Sequence, residues 1–159
     1  EHPEMKLVIA PHVVSDSHLK EILDKVKRPC IRYTEATEEN VTQADCLIID
    51  CYGLLSSIYR YGEISYIGGG FGVGIHNVLE AAVYGIPVIF GPNNKKFREA
   101  QHLLEQKGGF EVTGYDDFKR LMDKFLSDEA YLQQAGKAAG NYVNHNAGAL
   151  EKIMKDITL

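Results

Sequence analysis

A run of glycines is the strongest chemical signal in the sequence. Five of the seven residues at 68–74 are glycine, and the apolar stretch 64–67 leads directly into them. Backbone amides without a neighbouring Cβ can approach an anion closely, and a helix that follows adds its positive end. In no register does the run match the dinucleotide pattern GxGxxG or the P-loop pattern. It therefore predicts a phosphate-binding turn of another kind, with a flexible turn that binds nothing as the alternative.

Three polar residues, His76, Asn77 and Glu80, follow the glycine run. On a helix predicted over 76–85, Asn77 lies about 100° and Glu80 about 40° from His76, so the three share one face. The remaining positions are apolar, which is typical of a buried helix, and a buried carboxylate is costly without hydrogen-bond donors. We therefore expect Glu80 to bind a ribose diol. Pairing with a Lys, an Arg or a backbone amide of the protein is the alternative.

Short apolar runs alternate with helix-patterned segments along the whole chain. Strands are predicted at 6–10, 30–33, 46–50, 64–67, 87–90 and 110–113. Helices are predicted at 17–26, 54–61, 76–85, 95–107, 115–126 and 128–157, and a loop at 34–45. This alternation predicts an α/β fold with a Rossmann-like, doubly wound parallel sheet of about six strands.

Ligands of such sheets bind beyond the carboxyl ends of the strands. Four candidate segments lie at these ends: Pro11-His12, 50–53, the glycine run and the turn 91–94. A cysteine in the second of them, Cys51, is a minor alternative as a nucleophile. The four segments are therefore the places where we expect a ligand.

Length and composition exclude several classes of protein. The 159 residues suit one domain, 1–159, and the formal net charge of −5 argues against a nucleic-acid-binding protein. No apolar run reaches the roughly 18 residues of a membrane span. Three cysteines without a CxxC motif suit a reducing compartment and predict no metal site. Because the chain starts at Glu1 without a Met, we expect it to be part of a longer protein.

Several of these segments together resemble a known family. The resemblance rests on DCYGLL at 50–55, GGG at 68–70, HNVLE at 76–80, GIPV at 85–88 and GPN at 91–93. They are similar to the C-terminal domain of the 3-deoxy-D-manno-octulosonic acid (Kdo) transferases, GT-B glycosyltransferases of lipid A core assembly in lipopolysaccharide biosynthesis. The similarity runs from Lys6 to about Leu150.

The resemblance implies one half of a GT-B enzyme, the half that binds the donor CMP-Kdo. The acceptor, a lipid A precursor, the carboxylate base and the membrane contact at the cytoplasmic face of the bacterial inner membrane belong to an N-terminal domain absent from this chain. No catalytic residue, metal or cofactor is expected here, and the isolated domain is expected to be inactive.

The resemblance also implies which residues contact the nucleotide. To Gly68, Gly69, Gly70 and His76, proposed above, it adds two turns and a helix start: Pro11 and His12; Tyr52, Gly53 and Leu54; Asn77, Val78, Leu79 and Glu80. The family often has Arg in place of Pro11 and Glu in place of Leu54, so a polar side-chain contact is lost at each position.

Two other functions fit the same residues. One is a different GT-B nucleotide-sugar enzyme, such as a UDP-sugar transferase or epimerase. The other is a non-catalytic Rossmann module, one that binds a nucleotide as a sensor or only interacts with a partner. Binding of cytidine nucleotides would favour the Kdo transferase, and binding of uridine nucleotides would favour the UDP-sugar enzyme. Absence of nucleotide binding would favour the non-catalytic module.

Overall fold

The computed structural model describes residues 2–147. Within that range, the strands are β1 (Leu7–Ile9), β2 (Cys30–Arg32), β3 (Cys46–Ile48), β4 (Ser65–Ile67), β5 (Val88–Phe90) and β6 (Gly109–Glu111). The helices are α1 (Asp16–Lys25), α2 (Leu55–Ile58), α3 (Leu79–Ala82), α4 (Arg98–Glu105), α5 (Tyr115–Ser127) and α6 (Glu129–Asn146). The predicted α/β class and the six predicted strands are confirmed.

Every strand pair between residues 2 and 147 is parallel, and the strands form two three-stranded sheets. One has the order β1-β3-β2, with Leu7 opposite Cys46, and the other has the order β4-β5-β6, with Ser65 opposite Val88. The prediction did not anticipate this division. Hydrophobic patterns locate strands along the chain, but they do not say which strands share a sheet.

The chain divides into two compact units, Glu1–Ser57 and Ile58–Leu159. The first unit has a small core, in which Leu19 of α1 packs with Cys46 and Ile48 of β3. Helix α1 begins where the Ser15 side chain accepts a hydrogen bond from the amide of His18, a standard N-cap. Strand β1 remains partly exposed, since Leu7 and Val8 are both open to solvent.

The second unit has a larger core. Its central strand β5 is buried at all three positions, and helices α3, α4 and α6 pack in the same cluster. The buried members of this cluster are Ile67, Ile75, Val78, Ala81, Ala82, Ile86, Val88, Phe90, Ala100, Leu103, Ala139 and Tyr142. Such a core stabilises the loops at the ends of β4 and β5.

Helix boundaries differ from the predictions at several places. Helix α4 starts at Arg98 rather than at 95, because residues 93–96 form a turn. Two short 3₁₀ turns lie in or at the start of the predicted loop 34–45: Tyr33–Glu35, which begins at the last residue of the predicted strand, and Val41–Gln43. Helix α6 ends at Asn146, and the part of the predicted helix 128–157 beyond 147 lies outside the described residues.

None of the helices described between residues 2 and 147 is long and apolar enough to span a membrane. In the same range, no group of three or more His, Cys, Asp and Glu side chains is placed to hold a metal ion.

Candidate functional site

The glycine loop, residues 68–74, leaves the carboxyl end of β4 and folds back on itself. The amides of Gly72 and Gly74 both donate to the carbonyl of Gly69, at 2.9 and 3.2 Å, and the amide of His76 donates to that of Gly68 at 3.2 Å. Gly69 has a φ of +88°, and a Cβ there would lie 2.2 Å from the carbonyl oxygen of Gly74. The amides of Gly72, Gly74 and His76 are thus engaged by carbonyls of the loop, so an anion would have to be held by other donors.

A second segment, residues 91–97, runs along the glycine loop and fixes it at three points. The backbones of Gly70 and Gly91 approach so closely that a Cβ on Gly70 would lie 2.6 Å from the nitrogen of Gly91. The amide of Asn93 donates to the carbonyl of Gly70 at 2.9 Å, and its side-chain Nδ2 donates to that of Gly72 at 2.6 Å. A Cβ on Gly74 would lie 2.9 Å from the ring of Phe97.

The buried side chain of Asn94 holds the 91–97 segment in place through hydrogen bonds. Its side chain is only 1% exposed. Its Nδ2 donates to the carbonyl of Gly91 at 2.9 Å and to the carboxylate of Glu111 at 2.6 Å, while its Oδ1 accepts from Nε2 of Gln101 at 2.6 Å. The sequence marks 91–94 as a turn, but no local pattern indicates a partner 17 residues away.

Helix α3 begins at Leu79, so the helix predicted from 76 is wrong at its start. The Oδ1 of Asn77 accepts a hydrogen bond from the amide of Leu79 at 3.0 Å. Asn side chains favour such local bonds at the expense of helix, which explains the late start. His76 and Asn77 therefore precede the helix, and the predicted helical face does not exist.

Asn77 and Glu80 nevertheless meet, because Nδ2 of Asn77 donates to Oε1 of Glu80 at 3.0 Å. Glu80 is half-buried, not fully buried as expected, while His76 and Asn77 are exposed. Burial, together with the charge of the nearby Glu80 carboxylate, raises the pKa of Tyr59. The open side of Glu80 and the exposed amide beside it form a polar patch directly after the glycine loop.

Val78 and Leu79 face the other way. Val78 is buried in the core of the second unit, and Leu79 packs against that core. Their side chains therefore have structural roles. The predicted nucleotide contacts at these two positions would have to come from backbone atoms, and the Leu79 amide is already bonded to Asn77.

Two turns of the first unit leave the same edge of its sheet. Pro11 and His12 follow β1, and residues 52–54 follow β3, the parallel neighbour of β1. Tyr52 is 76% exposed, and Gly53 has a φ of +90° with open space around it. Pro11 and Leu54 are half-buried, and His12 is exposed. The structure thus brings these five predicted residues to one edge within their own unit.

Asp50 ties the end of β3 to the end of β2. Its carboxylate accepts hydrogen bonds from the amide of Thr34 at 3.0 Å and from the hydroxyl of Thr34 at 2.6 Å. Partial burial acts to raise the pKa of Asp50, but these hydrogen bonds outweigh it and hold that pKa below its ordinary value. Cys51, the alternative nucleophile, is a free thiol, half-buried in the same turn.

Similarity to known proteins is strong over most of the chain, although no protein family model matches it. The chain is 31% identical to the 3-deoxy-D-manno-octulosonic acid transferase of Aquifex aeolicus over 128 residues, which cover 79% of this chain and 35% of that protein. It is 29% identical to the enzyme of the same name from Haemophilus influenzae, over 96% of this chain and 36% of that protein. The chain spans about a third of the length of these curated relatives.

Two solved structures share the fold. The C-terminal CMP-Kdo binding domain of WaaA from Acinetobacter baumannii matches with a TM-score of 0.77 at 16% identity, over 89% of this chain and 75% of that one. Sucrose-phosphate synthase from Thermosynechococcus elongatus matches with a TM-score of 0.54 at 12% identity, over 98% of this chain and 47% of that one.

Proposed function

Because the chain corresponds in sequence and fold to the C-terminal domain of a Kdo transferase, we propose that it binds the nucleotide-activated sugar CMP-Kdo. The observation that carries this proposal is the Asn77–Glu80 pair, which follows the glycine loop at the carboxyl end of β4. A carboxylate with an open side next to a glycine-rich turn suits a ligand that joins a diol to a phosphate.

Glu80 is proposed to accept hydrogen bonds from the ribose hydroxyls. Each oxygen of an ionised carboxylate can accept more than one hydrogen bond, so Oε1 can keep its bond to Asn77 while Glu80 binds a diol. The Asn77 amide holds the carboxylate in one orientation before the ligand arrives. Such preorganisation reduces the entropy lost on binding.

The glycine loop is proposed to bind the phosphate through backbone donors at Gly68, Gly69 and Gly70. Helix α3 has only four residues, so its dipole adds little and the expected contribution of a helix N-terminus is small. Negative charge develops on CMP as its bond to the sugar breaks. Donors held in place by a rigid loop stabilise that charge without rearranging.

The first unit is proposed to contribute separate contacts. The family resemblance implies nucleotide contacts from Pro11, His12 and the turn 52–54. Since Pro11 and Leu54 lack polar side chains, we assign their contacts to backbone atoms. His12 and Tyr52 are exposed and carry side-chain donors, so we assign side-chain contacts to these two residues.

The whole enzyme is proposed to transfer Kdo to a lipid A precursor at the cytoplasmic face of the inner membrane. The acceptor site, the general base and the membrane contact are assigned to parts of the enzyme outside this chain. Without the base and the positioned acceptor, the large rate contributions of proton transfer and orientation are lost. The 159-residue chain is therefore expected to bind the donor and transfer nothing.

Calorimetric titration of the chain with CMP, UMP and AMP tests the proposal. We expect CMP to bind most tightly. Glu80→Gln should weaken CMP binding by about 1.5–3 kcal/mol, the value of a hydrogen bond to a charged group. The matched control, Glu105→Gln on the exposed end of α4, should leave CMP binding unchanged.

Other outcomes identify the alternatives. Preference for UMP would indicate a UDP-sugar enzyme, and no binding of any nucleotide at millimolar concentration would indicate a non-catalytic module. Equal CMP affinity in a folded Glu80→Gln variant and the wild type would exclude the ribose role of Glu80.

A further inference from the structure

We infer that Asn94 is a positioning residue for the glycine loop, an inference that rests on the proposed function of that loop in binding the donor phosphate. Asn94 lies in the turn after β5, one of the segments that the sequence marks as a candidate site. It is buried beneath that turn, so it contacts no ligand itself and acts through the residues that it holds.

The side chain of Asn94 is matched to its surroundings at every polar atom. A carboxamide offers two N–H donors and an acceptor oxygen. Both of its hydrogen-bonding functions are used, since Nδ2 donates to Gly91 and Glu111 and Oδ1 accepts from Gln101. An aspartate of the same shape would lose both donors and place its charge against the Glu111 carboxylate.

The bonds of Asn94 reach the glycine loop through two short steps. Asn94 donates to the carbonyl of Gly91, and the backbone of Gly91 lies directly against that of Gly70. Asn93, next in the chain to Asn94, donates to the carbonyls of Gly70 and Gly72. A shift of the 91–94 turn would therefore change the positions of the loop carbonyls and of the amides between them.

Loss of Asn94 should be a local change. Glu111 is exposed, so removing Asn94 leaves no buried charge without a partner. We therefore expect Asn94→Ala to fold. Asn94→Asp buries a carboxylate beside that of Glu111 and should be less stable than Asn94→Ala, so its binding is measured at a temperature where it is folded.

The test compares Asn94 variants with Phe125→Leu, a change in the buried ring of α5 that packs against Phe110 and Tyr131. Calorimetry at a temperature where every variant is folded gives the CMP affinity. We expect Asn94→Ala and Asn94→Asp to lose about tenfold or more, the value of a hydrogen bond or two. Phe125→Leu should lower Tm but leave the affinity within about twofold.

A double variant exchanges the donor and the acceptor of the hydrogen bond between positions 94 and 111. In the double variant Asn94→Asp with Glu111→Gln, the introduced carboxylate can accept from the introduced carboxamide. We expect it to recover much of the affinity that Asn94→Asp loses. If the double variant recovers no CMP affinity and Phe125→Leu loses as much affinity as the Asn94 variants, Asn94 only stabilises the fold in general. That result would overturn the inference.

Amide hydrogen exchange tests the inference without a nucleotide. The amides of Gly72 and Gly74, both bonded to the Gly69 carbonyl, should exchange about tenfold faster in the Asn94 variants than in wild type or Phe125→Leu. Unchanged exchange would overturn the inference even if the wild type binds CMP. If the wild type binds no nucleotide but exchange changes as expected, the proposed function fails and the positioning of the loop by Asn94 stands.

Discussion

Turns at the carboxyl ends of strands are supported very differently in the two units. In the first unit, the turn after β3 exposes Tyr52, and a Cβ on Gly53 would meet nothing within 4 Å. In the second unit, the glycine loop after β4 is bonded internally and fixed along its length by the 91–97 segment. The same kind of sheet edge thus carries an open turn in one unit and a braced loop in the other.

The difference follows from the cores beneath these turns. Among the residues that the structure describes, the core cluster of the first unit has three buried members, whereas that of the second has twelve. A loop can be held in one conformation only by neighbours that are themselves fixed. We therefore expect the glycine loop of the second unit to keep one conformation and the turn after β3 in the first unit to be more adaptable.

The largest expected effect tests the two cores directly. Leu103 is fully buried in the second unit, so Leu103→Ala should lower the free energy of unfolding by about 2–5 kcal/mol. Leu7 in the first unit is 42% exposed, so Leu7→Ala should cost about 1 kcal/mol or less. Urea unfolding followed by circular dichroism measures both, and equal losses would contradict the difference between the cores.

A pair of glycines sharpens the comparison of the turns. Gly69 and Gly53 have nearly the same φ, +88° and +90°, so an alanine suffers similar backbone strain at both, about 1 kcal/mol. Only at Gly69 would the Cβ also collide with the backbone, 2.2 Å from the Gly74 oxygen. Overpacking adds about 1–3 kcal/mol, so Gly69→Ala should destabilise the protein clearly more than Gly53→Ala in the same unfolding assay.

The smallest expected effect concerns acid stability of the first unit. The lowered pKa of Asp50 means that its ionised form contributes stability above about pH 4, which is lost as pH falls through the folded-state pKa. Asp50→Asn should therefore cost about 1 kcal/mol at pH 7, and the difference from wild type should shrink below about pH 4.

The control for this change is Asp24→Asn on the exposed side of α1. Thermal unfolding across a series of pH values measures both variants. A loss at pH 7 that persists unchanged at pH 3 would show that the carboxylate charge of Asp50 is not what stabilises the turn.

Much of the fold could be predicted from the sequence because its signals are local. Apolar runs and helical spacing located all six strands and six helices to within a few residues, except for the shortened α3 and the residues outside 2–147. The family resemblance came from short motifs, and similarity to Kdo transferases over most of the chain confirms it. The glycine loop and Glu80 were proposed as site residues for the same reason, since each is marked by the residues next to it; that proposal stays a prediction.

The sequence alone determined the order and type of the elements, and it proposed the residues of the candidate site. Only the tertiary structure decided how the site is built: the late start of α3 at Leu79, the contact of Gly70 with Gly91, and the bonds of Asn94 to Glu111 and Gln101. The physical reason is the short range of hydrogen bonds and van der Waals contacts. Whether two groups distant in sequence come within 3 Å depends on how the strands pair and the turns pack, which no local pattern encodes.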